Sequence, residues 1–259
     1  MAKTSDPPLA YHDESFLEGE AARPIRILAE YLQPLNEFRR HKVHDTVVFF
    51  GSARLSPDGP MGRYFEDARE LARLVTVWSQ EQPQNAHRLV VCTGGGGGIM
   101  EAANRGAVEA GGRSIGLNIG LPHEQRPNKY ITPGLCFQFH YFFMRKLWFT
   151  HLARAMVVFP GGFGTMDELF EMLTLSQTRK LDRPIPVLLY GPEYWKRLID
   201  FDAFVEAGMI DPQDLELMHF VDQPKEALEV LQRVIPPETR TRTPAIASST
   251  TPAGRPAPS

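Results

Sequence analysis

One stretch of this 259-residue chain joins acidic residues to a glycine turn: Phe159-Pro160-Gly161-Gly162-Phe163-Gly164-Thr165-Met166-Asp167-Glu168-Leu169-Phe170-Glu171. The apolar run that leads into it, Ala155-Met156-Val157-Val158-Phe159, reads as a buried parallel strand. The glycines allow a tight turn that no side chain obstructs. Thr165 is a good N-cap with Glu168 at capping-box spacing, and the helix that follows has Leu169, Met172, Leu173 and Leu175 for a buried face. A strand, a glycine loop and a helix N-terminus together make an anion site, because free N–H groups and the helix dipole both favour a phosphate. Asp167, Glu168 and Glu171 fall on the first turns of this helix, with Glu168 and Glu171 on one face. Two readings of the carboxylates stand side by side: they stabilise the helix dipole, or they do chemistry next to a bound anion.

The surrounding elements must position these groups. Thr46 to Phe50 predicts a first strand, and Gly51-Ser52-Ala53-Arg54 follows at its C-terminal end, where open α/β sheets bind ligands. Ser52 offers a hydroxyl and Arg54 a fork of donors suited to phosphate, although an ordinary strand-to-helix loop with a solvated arginine has the same look. An amphipathic helix over residues 64–78 leads to a strand at 88–92. The run Thr93-Gly94-Gly95-Gly96-Gly97-Gly98-Ile99-Met100 then opens another helix. Gly95, Gly96, Gly97 and Met100 are candidates for close backbone approach to a ligand. The run matches neither the GxGxxG fingerprint nor a Walker A loop, so alone it is equally a flexible loop.

A third strand at 113–118 has a long exit through residue 133, and a short strand at 135–139 precedes a helix over 141–152. That helix carries an aromatic stripe, which reads as core, together with Arg145 and Lys146. Neighbours on a helix point about 100° apart, so at most one of the two faces a given site. Strands at 185–190 and 217–221 and helices at 192–207 and 224–234 complete the pattern. This alternation predicts a doubly wound, mainly parallel α/β sheet with helices on both faces. Residues 1–44 form an N-terminal polar segment and helical extension. There Ile25, Leu28, Ala29, Leu32, Leu35 and Phe38 recur near helical spacing and suit covering the main domain or a partner subunit. Residues 45–235 form the main domain, and residues 236–259 a Pro/Ser/Thr tail of disordered composition.

The net charge of −3 does not suggest a nucleic-acid binder. No apolar run approaches membrane-span length, and the acidic N-terminus lacks signal-peptide regions, so a cytoplasmic protein is expected. Cys92 and Cys136 both sit in apolar sequence and are expected to be buried thiols, with no metal site.

The PGGFGTMDE segment resembles the PGGxGTxxE signature of the LOG (LONELY GUY) family, a group that also carries the label of possible lysine decarboxylases. The resemblance spans about residues 45–235 and includes the GSAR loop, the GGGGGIM loop, the GLNIGLPHEQRPN segment and Met144-Arg145-Lys146. It implies a Rossmann-like fold, a homodimer or higher homo-oligomer, no cofactor, and a phosphoribohydrolase that cleaves a nucleoside 5′-monophosphate to free base and ribose 5-phosphate. Plant-type members act on cytokinin nucleotides, and many accept AMP. Carried over residue by residue, Glu168 matches the catalytic glutamate and Arg145 the motif arginine. Gly161, Gly162, Gly164 and Thr165 match the phosphate loop, and Glu171 a second acidic position. The chemistry is coherent: glycoside cleavage passes through an oxocarbenium-like state that carboxylates stabilise, with one able to activate water. Arg145 suits either phosphate binding or leaving-group assistance.

Two other readings remain: a nucleotide-binding or carrier module on the same fold without turnover, and a pyridoxal-phosphate decarboxylase. The decarboxylase needs a Schiff-base lysine, and Lys146 is the one lysine beside the site motifs.

Overall fold

The structure, a computed structural model, describes residues 8–82, 89–120, 126–181 and 185–235. The tail at 236–259 and the loop residues His123, Glu124 and Gln125 lie outside the described residues.

Seven strands form one sheet: β1 (Asp45–Phe50), β2 (Leu89–Thr93), β3 (Ser114–Ile119), β4 (Cys136–Phe139), β5 (Ala153–Val158), β6 (Val187–Tyr190) and β7 (Met218–Val221). Their order is β4-β3-β2-β1-β5-β6-β7, and every neighbouring pair is parallel. All residues of β1 are buried, as expected of a strand covered on both sides. Period-two alternation divides its side chains: Val47 and Phe49 pack on one face, Val48 and Phe50 on the other. The first face is covered by α3 (Arg63–Glu81), α4 (Ile99–Glu109) and α9 (Pro224–Val234). The second is covered by α2 (Arg23–Arg40), α5 (Phe142–His151), α6 (Phe163–Gln177) and α7 (Pro192–Leu198). Two short helices, α1 (Glu14–Glu18) and α8 (Phe201–Glu206), complete the set.

The chain winds from β1 outward to β4, then returns to the other side of β1 and winds from β5 to β7. The reversal lies between β1 and β5, the switch point at which loops diverge and leave a crevice.

Two expectations are corrected. The single helix over 192–207 is two, because Ile199 is extended and Asp200 caps α8, accepting from the Ala203 N–H at 3.1 Å. Cys136 is exposed: it lies on the edge strand, whose residues alternate outward and inward, and its turn is outward. In α2, Ile27, Tyr31, Leu35 and Phe38 pack on the core, whereas Ile25, Leu28 and Leu32 are exposed. The helix is apolar around more of its circumference than one contact face requires.

Candidate active site

The loops after β1 and β5 wall a cleft of about 1100 Å³ at the switch point. Backbone hydrogen bonds tie them together: the Ser52 N–H donates to the Pro160 carbonyl at 2.9 Å, and the Ile99 N–H to the Ser52 carbonyl at 3.1 Å. Ser52, Arg54, Met100, Arg145, Gly161, Gly162, Gly164, Thr165 and Glu168 all line this cleft. Gly95, Gly96, Gly97, Lys146 and Glu171 are not among its lining residues.

At the floor, α6 starts three residues earlier than capping-box spacing predicts. Gly162 is its N-cap and makes no side-chain cap, and the N–H groups of Thr165 and Met166 both donate to the Gly162 carbonyl at 3.0 Å. The cause is the glycine pair. A Cβ on Gly161 would run into the Thr165 side chain, so only glycine lets the chain turn this tightly. Thr165 and Glu168 are therefore buried helix residues rather than cap and box partner. The first amides of α6, at Phe163 and Gly164, have no carbonyl of their own helix to reach. No side chain of this turn occupies that end, which leaves it available to an external anion.

Glu168 projects from the second turn of α6 and meets Arg145 from α5. Arg145 Nη1 stands 4.0 Å from Glu168 Oε1, and the two side chains are 13% and 7% exposed. Burial pushes the Glu168 carboxyl up from 4.5 to about 7; Arg145 and Lys146 pull it down, while Glu171 and Asp167 push it further up. Burial lowers the Arg145 guanidinium, which Glu168 partly offsets. Two contacts orient the arginine. Its Nε donates to the Leu117 carbonyl at 2.8 Å, and its guanidinium carbon lies 5.0 Å from the Phe149 ring centroid. A carboxyl poised near neutrality beside a fixed cation is suited to taking a proton from water and to facing a developing positive charge.

Lys146, next to Arg145, points the other way, as the 100° step between helix neighbours requires. Its Nζ pairs with Asp167 at 2.8 Å and Glu171 at 2.7 Å on the outer side of α6. Burial acts to lower its pKa, but the hydrogen bonds to Asp167 and Glu171 together with the charges of Glu168 and Glu171 outweigh it, and the net shift is upward. An amine held charged by two carboxylates is the opposite of the neutral nucleophile a Schiff base requires.

Gly94, Gly95 and Gly98 of the run after β2 serve packing. Gly94 leaves room for the Arg145 guanidinium and the Met100 sulfur, since a Cβ there would strike both. Gly95 and Gly98 have positive φ, where larger residues are strained. Side-chain amides hold this loop: Asn128 Nδ2 donates to the carbonyls of Gly95 at 3.1 Å and Gly96 at 2.9 Å and to Asn104 Oδ1 at 2.9 Å, and Thr93 Oγ1 donates to the same oxygen at 2.8 Å.

Sequence reasoning missed several lining residues. Tyr194 donates its hydroxyl to the Gly161 carbonyl at 2.7 Å, bracing the turn from α7, and Leu55, Met61, Leu198 and Ile199 form apolar parts of the wall. Tyr194 lies in the first turn of α7, four residues after the end of β6, so its place at the C-terminal edge of the sheet was the available signal. For Asn104, the signal was a polar residue inside the apolar run of α4.

The geometry defines a Rossmann-like α/β protein with an uncapped helix N-terminus and an Arg–Glu pair lining a cleft at its switch point. Comparison with known proteins agrees. The family model described as "Possible lysine decarboxylase" matches residues 100–231, and the chain belongs to this family, the LOG family. The chain is 27% identical over 228 residues to the "Probable cytokinin riboside 5′-monophosphate phosphoribohydrolase LOGL6" of Oryza sativa subsp. japonica, covering 87% of this chain and 81% of the relative. It is 29% identical over 157 residues to the "Cytokinin riboside 5′-monophosphate phosphoribohydrolase LOG3" of Arabidopsis thaliana, covering 60% and 71%. Among solved structures, TM1055, a structural-genomics target, shares the fold at a TM-score of 0.52 and 20% identity, covering 73% of this chain and 99% of that one. Relatives named as phosphoribohydrolases support a nucleotide-cleaving enzyme family. Among the described residues no cluster of His, Cys, Asp or Glu could hold a metal ion, and no helix is long and apolar enough to cross a membrane.

Proposed function

We propose that this chain is a cytoplasmic phosphoribohydrolase that cleaves the N-glycosidic bond of a nucleoside 5′-monophosphate, AMP or a cytokinin nucleotide, to free base and ribose 5-phosphate. The observation that carries this is the Arg145–Glu168 pair, set at the wall of a cleft whose floor is an uncapped helix N-terminus. The 5′-phosphate then sits on the amides at Gly162, Phe163 and Gly164. Ser52, Arg54 and Thr165 line the same end. The bond from the ribose C1′ to the base nitrogen breaks with its electron pair leaving on the base, and the ionised Glu168 faces the oxocarbenium charge. Water then adds to C1′ as Glu168 accepts its proton, and that proton balances the departing base. Arg145 offers its guanidinium to the nucleotide, as phosphate ligand or leaving-group partner.

Chromatography of the products from a nucleotide panel tests this directly. AMP is expected to be cleaved and adenosine barely touched, since binding energy from the phosphate positions the reacting centre and its loss lowers turnover. Equal rates on AMP and adenosine would remove the phosphate from the site. A bound nucleotide that is never turned over would instead favour a carrier.

The same reading makes the protein a homodimer. Exposed Phe142, Phe143 and Leu147 on α5 and Phe163 and Phe170 on α6 are the surface we assign to the second copy. Lys146 bridges the two helices there, and a hollow of about 460 Å³ lined by Lys146, Phe163 and Phe170 lies in this face.

A further inference from the structure

The N-terminal helix α2 grips α5 at two points through one residue. Glu30 lies 110 residues before His140, yet its carboxylate accepts from the backbone N–H of His140 at 2.7 Å and of Tyr141 at 3.2 Å. Tyr141 is the N-cap of α5 and makes no side-chain cap of its own. The start of a helix leaves amides without carbonyl partners, and a carboxylate there both accepts their hydrogen bonds and opposes the dipole. Glu30 thus supplies from another helix the cap that α5 lacks.

The second point depends on a proline. Pro34 stands inside α2, four residues after Glu30, and has no N–H to give to the Glu30 carbonyl. That carbonyl instead accepts the indole Nε1–H of Trp148 at 3.1 Å, one turn beyond Arg145 on α5. Tyr31 stacks on the same indole at 5.4 Å between ring centroids. The side chain of residue 30 fixes the beginning of α5, and its backbone, freed by Pro34, fixes the middle. Arg145 lies between the two.

We propose that Glu30 and Pro34 are positioning residues: α2 is a clamp that sets the place of α5 and so the reach of Arg145 toward Glu168. The proposal rests on the assignment of Arg145 and Glu168 to the active site, but it concerns how their spacing is held.

Two measurements on the full-length protein, neither of which requires turnover, test it in Glu30→Ala and Glu30→Gln. Hydrogen exchange reads the cap: the amides of α5 between Phe142 and Trp148 are expected to exchange at least about 10-fold faster in Glu30→Ala, as a lost cap predicts. Carboxyl NMR titration of Glu168 reads the spacing. Arg145 and Lys146 lower its pKa while Glu171 and Asp167 raise it, so a withdrawn Arg145 moves the midpoint to higher pH. Glu30→Gln keeps one acceptor and is expected to fall between wild type and Glu30→Ala; it also serves should the alanine variant not fold. Pro34→Ala restores a competing donor for the Glu30 carbonyl and is expected to move the Glu168 midpoint the same way. Turnover in Glu30→Ala should fall about 10- to 100-fold, the scale of a small misplacement of a reacting group. Leu28→Ala, on the exposed side of α2, should leave all three readouts at wild-type values. Unchanged α5 exchange in Glu30→Ala would overturn the cap, and an unchanged Glu168 midpoint would overturn the positioning role. A wild-type protein that cleaved no nucleotide would sink the hydrolase reading alone, because exchange and titration would still decide the clamp.

Discussion

Glu168 keeps its proton up to about pH 7 because burial disfavours its charge. If its ionised form accepts the proton of water, turnover should climb as pH rises through about 7 and level off above it. A profile flat from pH 5 to 8 would assign the base to another group. Glu168→Gln keeps size and removes the charge, and turnover is expected to fall by roughly 10²–10⁴. AMP binding measured by calorimetry should persist, because the phosphate is held by backbone groups. The same substitution has a signature in stability. A folded carboxyl whose pKa stands above the ordinary 4.5 binds its proton more tightly than the unfolded chain does. The folded state is favoured by this group below about 4.5, and the advantage fades as pH rises through about 7. Glutamine mimics the protonated form, so Glu168→Gln should be more stable than wild type at pH 8, by up to about 3 kcal/mol, with the gap closing near pH 4. Thermal unfolding at the two pH values checks this, and a variant that is less stable at pH 8 would mean that Glu168 is there for the fold.

At the scale of the element, the N-terminus of α6 separates two kinds of glycine. Gly161 abuts Thr165, whereas nothing lies within 4 Å of a Cβ built on Gly162. Gly161→Ala should therefore cost about 1–3 kcal/mol, as overpacking does, and distort the turn. Gly162→Ala should stay within about 0.5 kcal/mol of wild type. A rise in the KM for AMP in that stable variant then reports on the anion site itself, and an unchanged KM places the phosphate elsewhere. This element also shows what was legible in the sequence. The strand, the turn and the helix were readable from an apolar run, glycines and helical spacing, and the alternation of such units gave away the sheet. The start of α6 was not, because a threonine three residues before a glutamate has the same letters whether it caps a helix or is buried in one. Only the packing of Gly161 on Thr165 decides. Lys146 and Glu171 read as site residues because they adjoin Arg145 and Glu168 in sequence, yet the helical step carries both to the outer face. Glu30 was invisible for a different reason: its partners are more than a hundred residues away, and no local pattern encodes that contact.

At the scale of the molecule, α5 and α6 face two ways. Their inner sides bear Arg145 and Glu168, while their outer sides expose Phe143, Leu147 and Phe170 around the Lys146 ion pairs. Apolar side chains grouped around satisfied charges resemble an interface core more than a solvated surface. Leu147→Asp should convert the proposed dimer to monomer in light scattering while the circular dichroism spectrum is kept. A wild-type protein that is already monomeric would remove this face from consideration.

The strand order carries a further consequence, for the history of the chain rather than its finished form. β1 lies in the middle of the sheet, but the strand on its second side, β5, begins 108 residues after β1 does, at Ala153 against Asp45. Until residues 153–158 arrive, β1 through β4 can assemble only half a sheet, whose open margin is the apolar segment Thr46–Phe50. Unpaired margins of this kind recruit other chains, and parallel sheets close slowly because each pairing spans a long loop. A growing or truncated polypeptide ending before β5 is thus at its most aggregation-prone on the very edge that later borders the cleft. The docking of β5 ends that hazard and, in the same step, brings the glycine turn against the Ser52 loop, so that protection of the nascent sheet and assembly of the site are one event.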